Sequence, residues 1–577
     1  MSNIKNIESG YFKHASWALF FIIVLFYCAM YAPFGLENND GGFTMGMAHQ
    51  FFLGERFYDH IIMVRPPVSP MLHSFVFYPP FAQAPLLSDR IFFFVQIALY
   101  SSLSALLAKK FFSWSSLFTA ITASVSFVFS AHSFPPMGWH TVDGILFSVI
   151  SIYFLVVFLE RSGTVFSINN NNKTSDNRIK KRIPDSYGKY VFLLISAGFA
   201  LIAAGAKQPY YLVPVIALSI SLVAGGLRGF TSMLLALICS GAVLLACVSP
   251  YVDSDLIFKS ISSQTNLRDL FNAGFLDYIK DVKRSKSVIF VWPMLIGLGL
   301  ISFKDHGNRK ITVGSFIVAI YLFLGAIGYF YFSAKKFTIP SAYIDTVFVG
   351  TLLISFLMLK LQRNCVWIVI VAMHMIGWAA SISWGYQTTI LFAAPSVIVI
   401  AFALHWATVF YPRVKIASIA ILPLSMFIFY MANQFYFSSE GPVSRSSITA
   451  DMGEISPAFT FIKSTPKQFA LYSELNAFIG SIDRNPFVVL PNIPLAHTMV
   501  GQTNPIGIDW AMNAEIGNSM DKVKDRLNTS VEYAIVYKKA SPSPDLAGKF
   551  GSDITNYVKA NWFLANESEN FYFFRKP

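Results

Sequence analysis

The chain is expected to be a polytopic α-helical membrane protein of about 13 transmembrane helices, followed by a small extracytoplasmic α/β domain. Three observations predict this. Only 13% of the 577 residues are charged, against about 25% in a soluble globular chain, and mean hydropathy is +0.53. Apolar runs of roughly 20 residues, the length that crosses a bilayer, recur as far as residue 432. Beyond that point the chain changes to short apolar runs set among polar turns, as in a water-exposed domain.

Candidate spans are centred near residues 25, 98, 122, 150, 197, 218, 240, 295, 322, 351, 374, 399 and 424. The first run, Trp17 to Pro33, lacks a small-residue cleavage site after it and reads as a retained helix, not a signal peptide. With the N-terminus inside, every inside connection is basic: Lys109-Lys110, Arg161 to Lys189, Arg228, Lys304 to Lys310, Lys360 to Arg363, and Arg413 to Lys415. Within these, Asn169 to Asn172 is a low-complexity run. The outside loops are then 34–90, 131–141, 206–209, 251–286, 333–342 and 384–388, together with residues 433–577. Loops 251–286 and 333–342 break the positive-inside pattern with cations that include Arg268, Lys335 and Lys336. Either an anionic ligand or anionic headgroups account for them.

The net charge of +13 suits phosphates or anionic lipid. Its scatter over membrane loops argues against nucleic acid. Cys28, Cys239, Cys247 and Cys365 all lie in apolar runs and give no metal-ligand or disulfide pattern. In residues 433–577, Phe487 to Leu490, Tyr533 to Tyr537 and Phe571 to Phe574 read as strands. Ile516 to Leu527 reads as an amphipathic helix. The loops at Pro491 to Pro494 and Gly501 to Pro505 suit acceptor recognition, with capping of the bundle as the alternative.

The first outside loop is the most informative segment, being polar where its surroundings are apolar. It contains Glu37, Asp40, Glu55, Arg56, Asp59, His60 and Arg65. Gly41 and Gly42 are expected to turn the chain and expose Asp40. Phe43 to Gly54 has the spacing of an interfacial helix, and Pro67 to Pro85 reads as a second one, broken by prolines. By itself Asp40 would be a helix cap. Its company of a second acid and a cation on a Pro-Pro pair points instead to an acid that deprotonates a hydroxyl beside a cation that holds a leaving phosphate.

The order of first span, acid-bearing loop, Gly54-Glu55-Arg56-Phe57-Tyr58-Asp59-His60 and Arg65-Pro66-Pro67-Val68-Ser69-Pro70 resembles the GT-C superfamily of polyprenyl-phosphate-sugar-dependent glycosyltransferases. The likeness is to the protein mannosyltransferase and lipid A aminoarabinose transferase branch. It implies a catalytic module over residues 1–432 and a periplasmic α/β domain over 433–577. Asp40 matches the catalytic acid, Arg65 the phosphate-contacting base and Asp59 the supporting acid, with Glu37 as a further oxygen. The family often has Asp-Glu where this chain has Asp40-Gly41, which leaves too few oxygen ligands for Mg²⁺ or Mn²⁺. Metal-independent catalysis without a cofactor is therefore expected.

Lys207 either contacts the donor phosphate or snorkels to the surface, and Arg268 and Lys336 are further phosphate candidates. His60, His140, Gln208 and Tyr211 are possible substrate contacts. Trp384 and Tyr386 read as belt aromatics or a sugar-stacking pair. The implied reaction moves a sugar from an undecaprenyl-phosphate donor to a cell-surface glycan such as lipopolysaccharide O-antigen, at the periplasmic face of a bacterial inner membrane. A flippase for a lipid-linked saccharide is the alternative. Against it, transporters place ionisable groups near mid-membrane and often carry inverted repeats, and here such groups lie at the outer surface.

Overall fold

The computed structural model describes residues 10–37, 39–164, 166, 188–253, 276, 341–362, 364–382, 389–410, 415–432, 436–438, 441–483, 485–539 and 551–577. The spans expected near residues 295 and 322, the cations Arg268 and Lys336, the Asn169 to Asn172 run, and Trp384 and Tyr386 lie outside these residues.

Every other expected span coincides with a described helix: α1 Gly10–Tyr31, α4 Pro85–Phe112, α5 Ser116–Ala131, α6 His140–Arg161, α7 Gly188–Ala206, α8 Leu212–Val248, α9 Ser341–Gln362, α10 Cys365–Ser381, α11 Ala394–Phe410 and α12 Lys415–Ala432. Two short helices of the first loop, α2 Asp40–Phe52 and α3 Val68–His73, come between α1 and α4. The chain is thus a polytopic helical membrane protein. Among the described residues five helical segments are long and apolar enough to cross a bilayer, and shorter apolar helices pack beside them. The spans near residues 218 and 240 are not separated by a loop. They are the two halves of α8, which leaves helical geometry at Gly226 (φ 64°, ψ −162°).

Helix α6 packs on α4, α7 and α8, and α5 packs on α1 and α4. Their shared core includes Phe93, Tyr100, Phe127 and Trp367. Leu227, Leu235 and Leu245 on α8 are exposed and apolar, as a lipid-facing surface requires.

The C-terminal unit holds a four-stranded sheet in the order β5-β6-β8-β7, where β5 is Phe487–Leu490, β6 Tyr533–Tyr537, β7 Phe563–Glu567 and β8 Phe571–Arg575. Strands β5 and β6 are parallel, and β8 runs antiparallel to β6 and β7. Before the sheet come two small hairpins, β1 Tyr436–Ser438 with β2 Gly441–Val443 and β3 Ala450–Asp451 with β4 Lys463–Ser464, and helix α13 Pro466–Ser481. The expected strands are present. Strand β7 gave no sequence signal, because all five of its residues are exposed and show no alternation. The helix expected over Ile516 to Leu527 is broken. The chain forms α14 Ala496–Val500 and α15 Asn513–Ile516, turns at Gly517 (φ 55°), and resumes as α16 Met520–Ser530. A positive φ of that kind is readily adopted by glycine and interrupts a helix. Helix α17 Asp553–Asn561 precedes the last two strands.

Helix α2 departs most from expectation. It does not lie exposed along the interface, since residues Gly41 to Gln50 are all buried. Met45 and Ala48 pack with Leu471, Leu475 and Phe573 beneath one face of the C-terminal sheet. Phe43 and Met47 join Leu490, Val523 and Val536 on the other. Apolar side chains all round a helix demand cover on every side, and here the C-terminal unit provides it.

Candidate active site

The N-terminus of α2 sits just beyond α1, and its free N–H groups need acceptors. Glu37 supplies them, accepting from the amides of Asn39 (2.7 Å) and Gly41 (2.9 Å). The N-cap residue Asn39 makes no side-chain cap bond. Asp40, the first helical residue, is therefore relieved of the capping role that its position suggests. Gly41 and Gly42 are helical, so they do not turn the chain as expected. Gly41 instead admits the Met137 side chain, whose Cβ would stand 2.5 Å from an added Cβ.

Asp40 is half-buried. Burial raises its carboxyl pKa above the ordinary value, while Arg65 and Lys207 pull it back. Glu37 is raised to about 7, first by burial and then by Asp40.

Arg65 is 6% exposed. Its backbone is held on two sides: Tyr58 Oη donates to the Arg65 carbonyl, and Gln208 Nε2 donates to the Val64 carbonyl, each at 2.7 Å. The guanidinium lies over the Phe43 ring at 5.3 Å and stands 3.4 Å from His140 Nε2. It also forms a buried ion pair with Glu515, a residue of the C-terminal unit. Lys207 is equally buried and donates to Thr141 Oγ1 at 3.1 Å. Burial, and next the charge of Arg65, lower its ammonium pKa to about 7, against the pull of Asp40 and Glu515.

The structure therefore brings Asp40, Arg65, Lys207 and His140 together, with Gln208 in support. Tyr211 remains exposed close by. Asp59 and His60 go elsewhere. Lys522 Nζ reaches Asp59 (2.8 Å to its carbonyl, 3.4 Å to its carboxylate), and Arg526 donates to the carbonyls of Asp59 and His60 at 2.7 Å. His60 itself faces Glu55 and Asp59 at 3.5 Å. This element clamps the loop to α16.

Sequence reasoning missed Glu515 and three supporting arrangements. Arg90 donates to the carbonyls of Phe34 and Gly35 (2.8 Å) and Pro136 (3.1 Å), fixing the two segments that flank Asp40. His73 on α3 is wholly buried between Asp89 of α4 and Asp143 of α6, with Ser69 and Gln96 also bonded to Asp143. Asp509 accepts from Gln50 Nε2 (2.6 Å) and Asn504 Nδ2 (3.0 Å) and pairs with His497 Nδ1 (2.9 Å), joining α2 to the C-terminal unit. Beside it, burial lowers the His49 pKa to about 4. No local pattern marked these residues, for the contacts that complete them, such as His73 with Asp143 and Gln50 with Asp509, are 70 and 459 residues apart in sequence. Among the described residues no three His, Cys, Asp or Glu side chains converge as a metal site.

No protein-family model and no curated protein matches the chain. Solved structures do. The chain is similar to the archaeal oligosaccharyltransferase AglB from Archaeoglobus fulgidus, in complex with an inhibitory peptide and a dolichol-phosphate. The identity is 11% and the TM-score 0.49, over 92% of this chain and 70% of that one. It is also similar to ArnT from Cupriavidus metallidurans bound to undecaprenyl phosphate, at 9% identity and a TM-score of 0.40, over 98% of both chains.

Proposed function

We propose that the chain is a glycosyltransferase that moves a sugar from an undecaprenyl-phosphate donor to a hydroxyl of a surface glycan, with lipopolysaccharide O-antigen the favoured acceptor. The observation that carries this reading is the convergence of one half-buried carboxylate, Asp40, with two buried cations, Arg65 and Lys207, just beyond the first span. A bacterial inner membrane with the site facing the periplasm fits the basic inside loops.

The step is a single inverting displacement. Asp40 takes the proton of the acceptor hydroxyl as its oxygen bonds to the anomeric carbon. The bond from that carbon to the phosphate oxygen breaks, and the phosphate leaves with the electron pair. A carboxylate whose pKa is raised is a better base. Arg65 and Lys207 face the charge that develops on the leaving phosphate, in surroundings where buried cations act strongly. No step requires a metal, and metal-independent transfer is part of the proposal. With its two oxygens engaged by backbone amides, Glu37 serves the site by fixing the start of α2.

The test is release of undecaprenyl phosphate from a labelled undecaprenyl-phosphate sugar by the purified full chain. Asp40→Asn should slow release by about 10²–10⁴-fold with little change in donor affinity. Near-normal turnover by that variant would remove Asp40 as the base. Mass spectrometry of surface glycans with and without the gene identifies the acceptor.

A further inference from the structure

Glu515 belongs to α15, far from the first loop in sequence, yet it enters the candidate site at 2% exposure. One carboxylate oxygen pairs with the Arg65 guanidinium. The other, Oε2, is buried without a hydrogen-bond partner. A buried acceptor left unpaired costs free energy that a ligand N–H or O–H can recover. A phosphate group on Arg65 would share the guanidinium with this carboxylate.

Two phosphates matter to the proposed reaction, and they differ in charge. The donor is a phosphodiester with one negative charge, and its sugar carries hydroxyls. The product is a phosphomonoester with a second ionisation near pH 6, so it carries close to two charges at neutral pH. Fully ionised, it offers acceptors only.

We propose that Glu515 is a specificity-determining residue that makes the Arg65 site favour the singly charged, hydroxyl-bearing donor over the doubly charged polyprenyl phosphate product. The inference rests on the proposed function above. The carboxylate repels the extra charge of the product, and its unpaired oxygen accepts from a donor hydroxyl. The product is thereby repelled more than the donor, whose single charge is offset by the hydroxyl that the unpaired oxygen accepts from. One additional unit charge about 5–6 Å from a carboxylate, at an effective dielectric of about 20, corresponds to roughly two decades in affinity before relaxation. Lys207 and Asp40 are the other charges beside Glu515. The ammonium attracts the product's extra charge and the Asp40 carboxylate repels it, so these two oppose each other, and Glu515 is the carboxylate that shares Arg65.

The test measures binding of undecaprenyl phosphate and of its methyl ester, a singly charged diester, to the purified full-length protein at about pH 8, where the monoester is doubly charged. Wild-type protein should bind the methyl ester more tightly. Glu515→Gln should tighten the monoester by about tenfold or more beyond any tightening of the diester, so that the preference collapses. Glu515→Asp keeps the charge and should keep the preference, which separates the charge effect from damage to the fold. An unchanged ratio in Glu515→Gln, or equal weakening of both ligands, overturns the inference and leaves Glu515 as a support for Arg65. Arg65→Ala should weaken both ligands. If it weakens neither, or if wild-type protein binds neither, the phosphate site itself is wrong and the inference falls with it.

Discussion

Lys207→Arg should remove most of a pH dependence that wild-type donor binding is expected to show. The Lys207 ammonium is buried among Thr141, Arg65, Asp40 and Glu515, and its pKa is lowered to about 7. The amine is therefore neutral in most molecules above that pH, whereas contact with a phosphate calls for the ammonium. Binding must take up a proton, so affinity falls as pH rises. Each unit above about 7 costs about 1.36 kcal/mol, or tenfold, and two units cost about 2.7 kcal/mol. The slope persists until the pH reaches the higher pKa of the phosphate-bound lysine. Arginine stays protonated throughout. The measurement is titration calorimetry with the methyl ester of undecaprenyl phosphate, because the charge of that ligand does not change over the range. Glu37 also ionises near pH 7, and its share of any slope survives in Lys207→Arg. A flat wild-type profile, or the same slope in both proteins, would refute the assignment of Lys207 to the donor phosphate.

Gly41→Ala places a methyl group 2.5 Å from Met137 Cβ, and overpacking of this kind typically costs about 1–3 kcal/mol. A lower unfolding temperature in detergent and slower transfer are expected, and an unchanged protein would show that loop 136–140 yields freely. Asp509→Ala removes the acceptor of Gln50 Nε2, one of the two acceptors of Asn504 Nδ2 and the partner of His497 Nδ1, and a buried donor left unpaired costs about 1–3 kcal/mol. It should make the C-terminal unit sensitive to protease, with Asp509→Asn intermediate; wild-type resistance would show that the joint is not structural. Deleting residues 440–577 should remove donor hydrolysis as well as transfer, because α2 shares its core with that unit. Hydrolysis by the truncated chain would show that α2 keeps its place alone.

Membrane class, span positions and three strands of the C-terminal sheet were legible in the sequence because each depends on local composition. A run such as Val142 to Val157 must be buried or lipid-facing whatever lies beside it, and Phe487 to Leu490 is apolar enough to be a buried strand even at the sheet's edge. Asp40, Arg65 and Lys207 were legible for a related reason. Charges just outside spans are costly to bury, and their positions stand out against apolar neighbours. The order of the chain around them also carried a likeness of motif.

Tertiary structure alone decided what each charge faces. Arg65 and Glu515 are 450 residues apart in sequence, and Gln50 and Asp509 are 459 apart. No periodicity links such pairs, since hydropathy reports where a side chain settles and not its partner. Asp59 shows the same limit from the other side, for its motif sits beside Arg65 in the chain yet its bonds run to Lys522 and Arg526. Helix α2 likewise had an apolar pattern that fitted a membrane surface equally well. Only the approach of the C-terminal sheet, with Leu475 on one side and Val523 on the other, turned it into a buried strut. Burial of apolar surface is indifferent to what covers it, and the cover was contributed by a part of the chain more than 400 residues away.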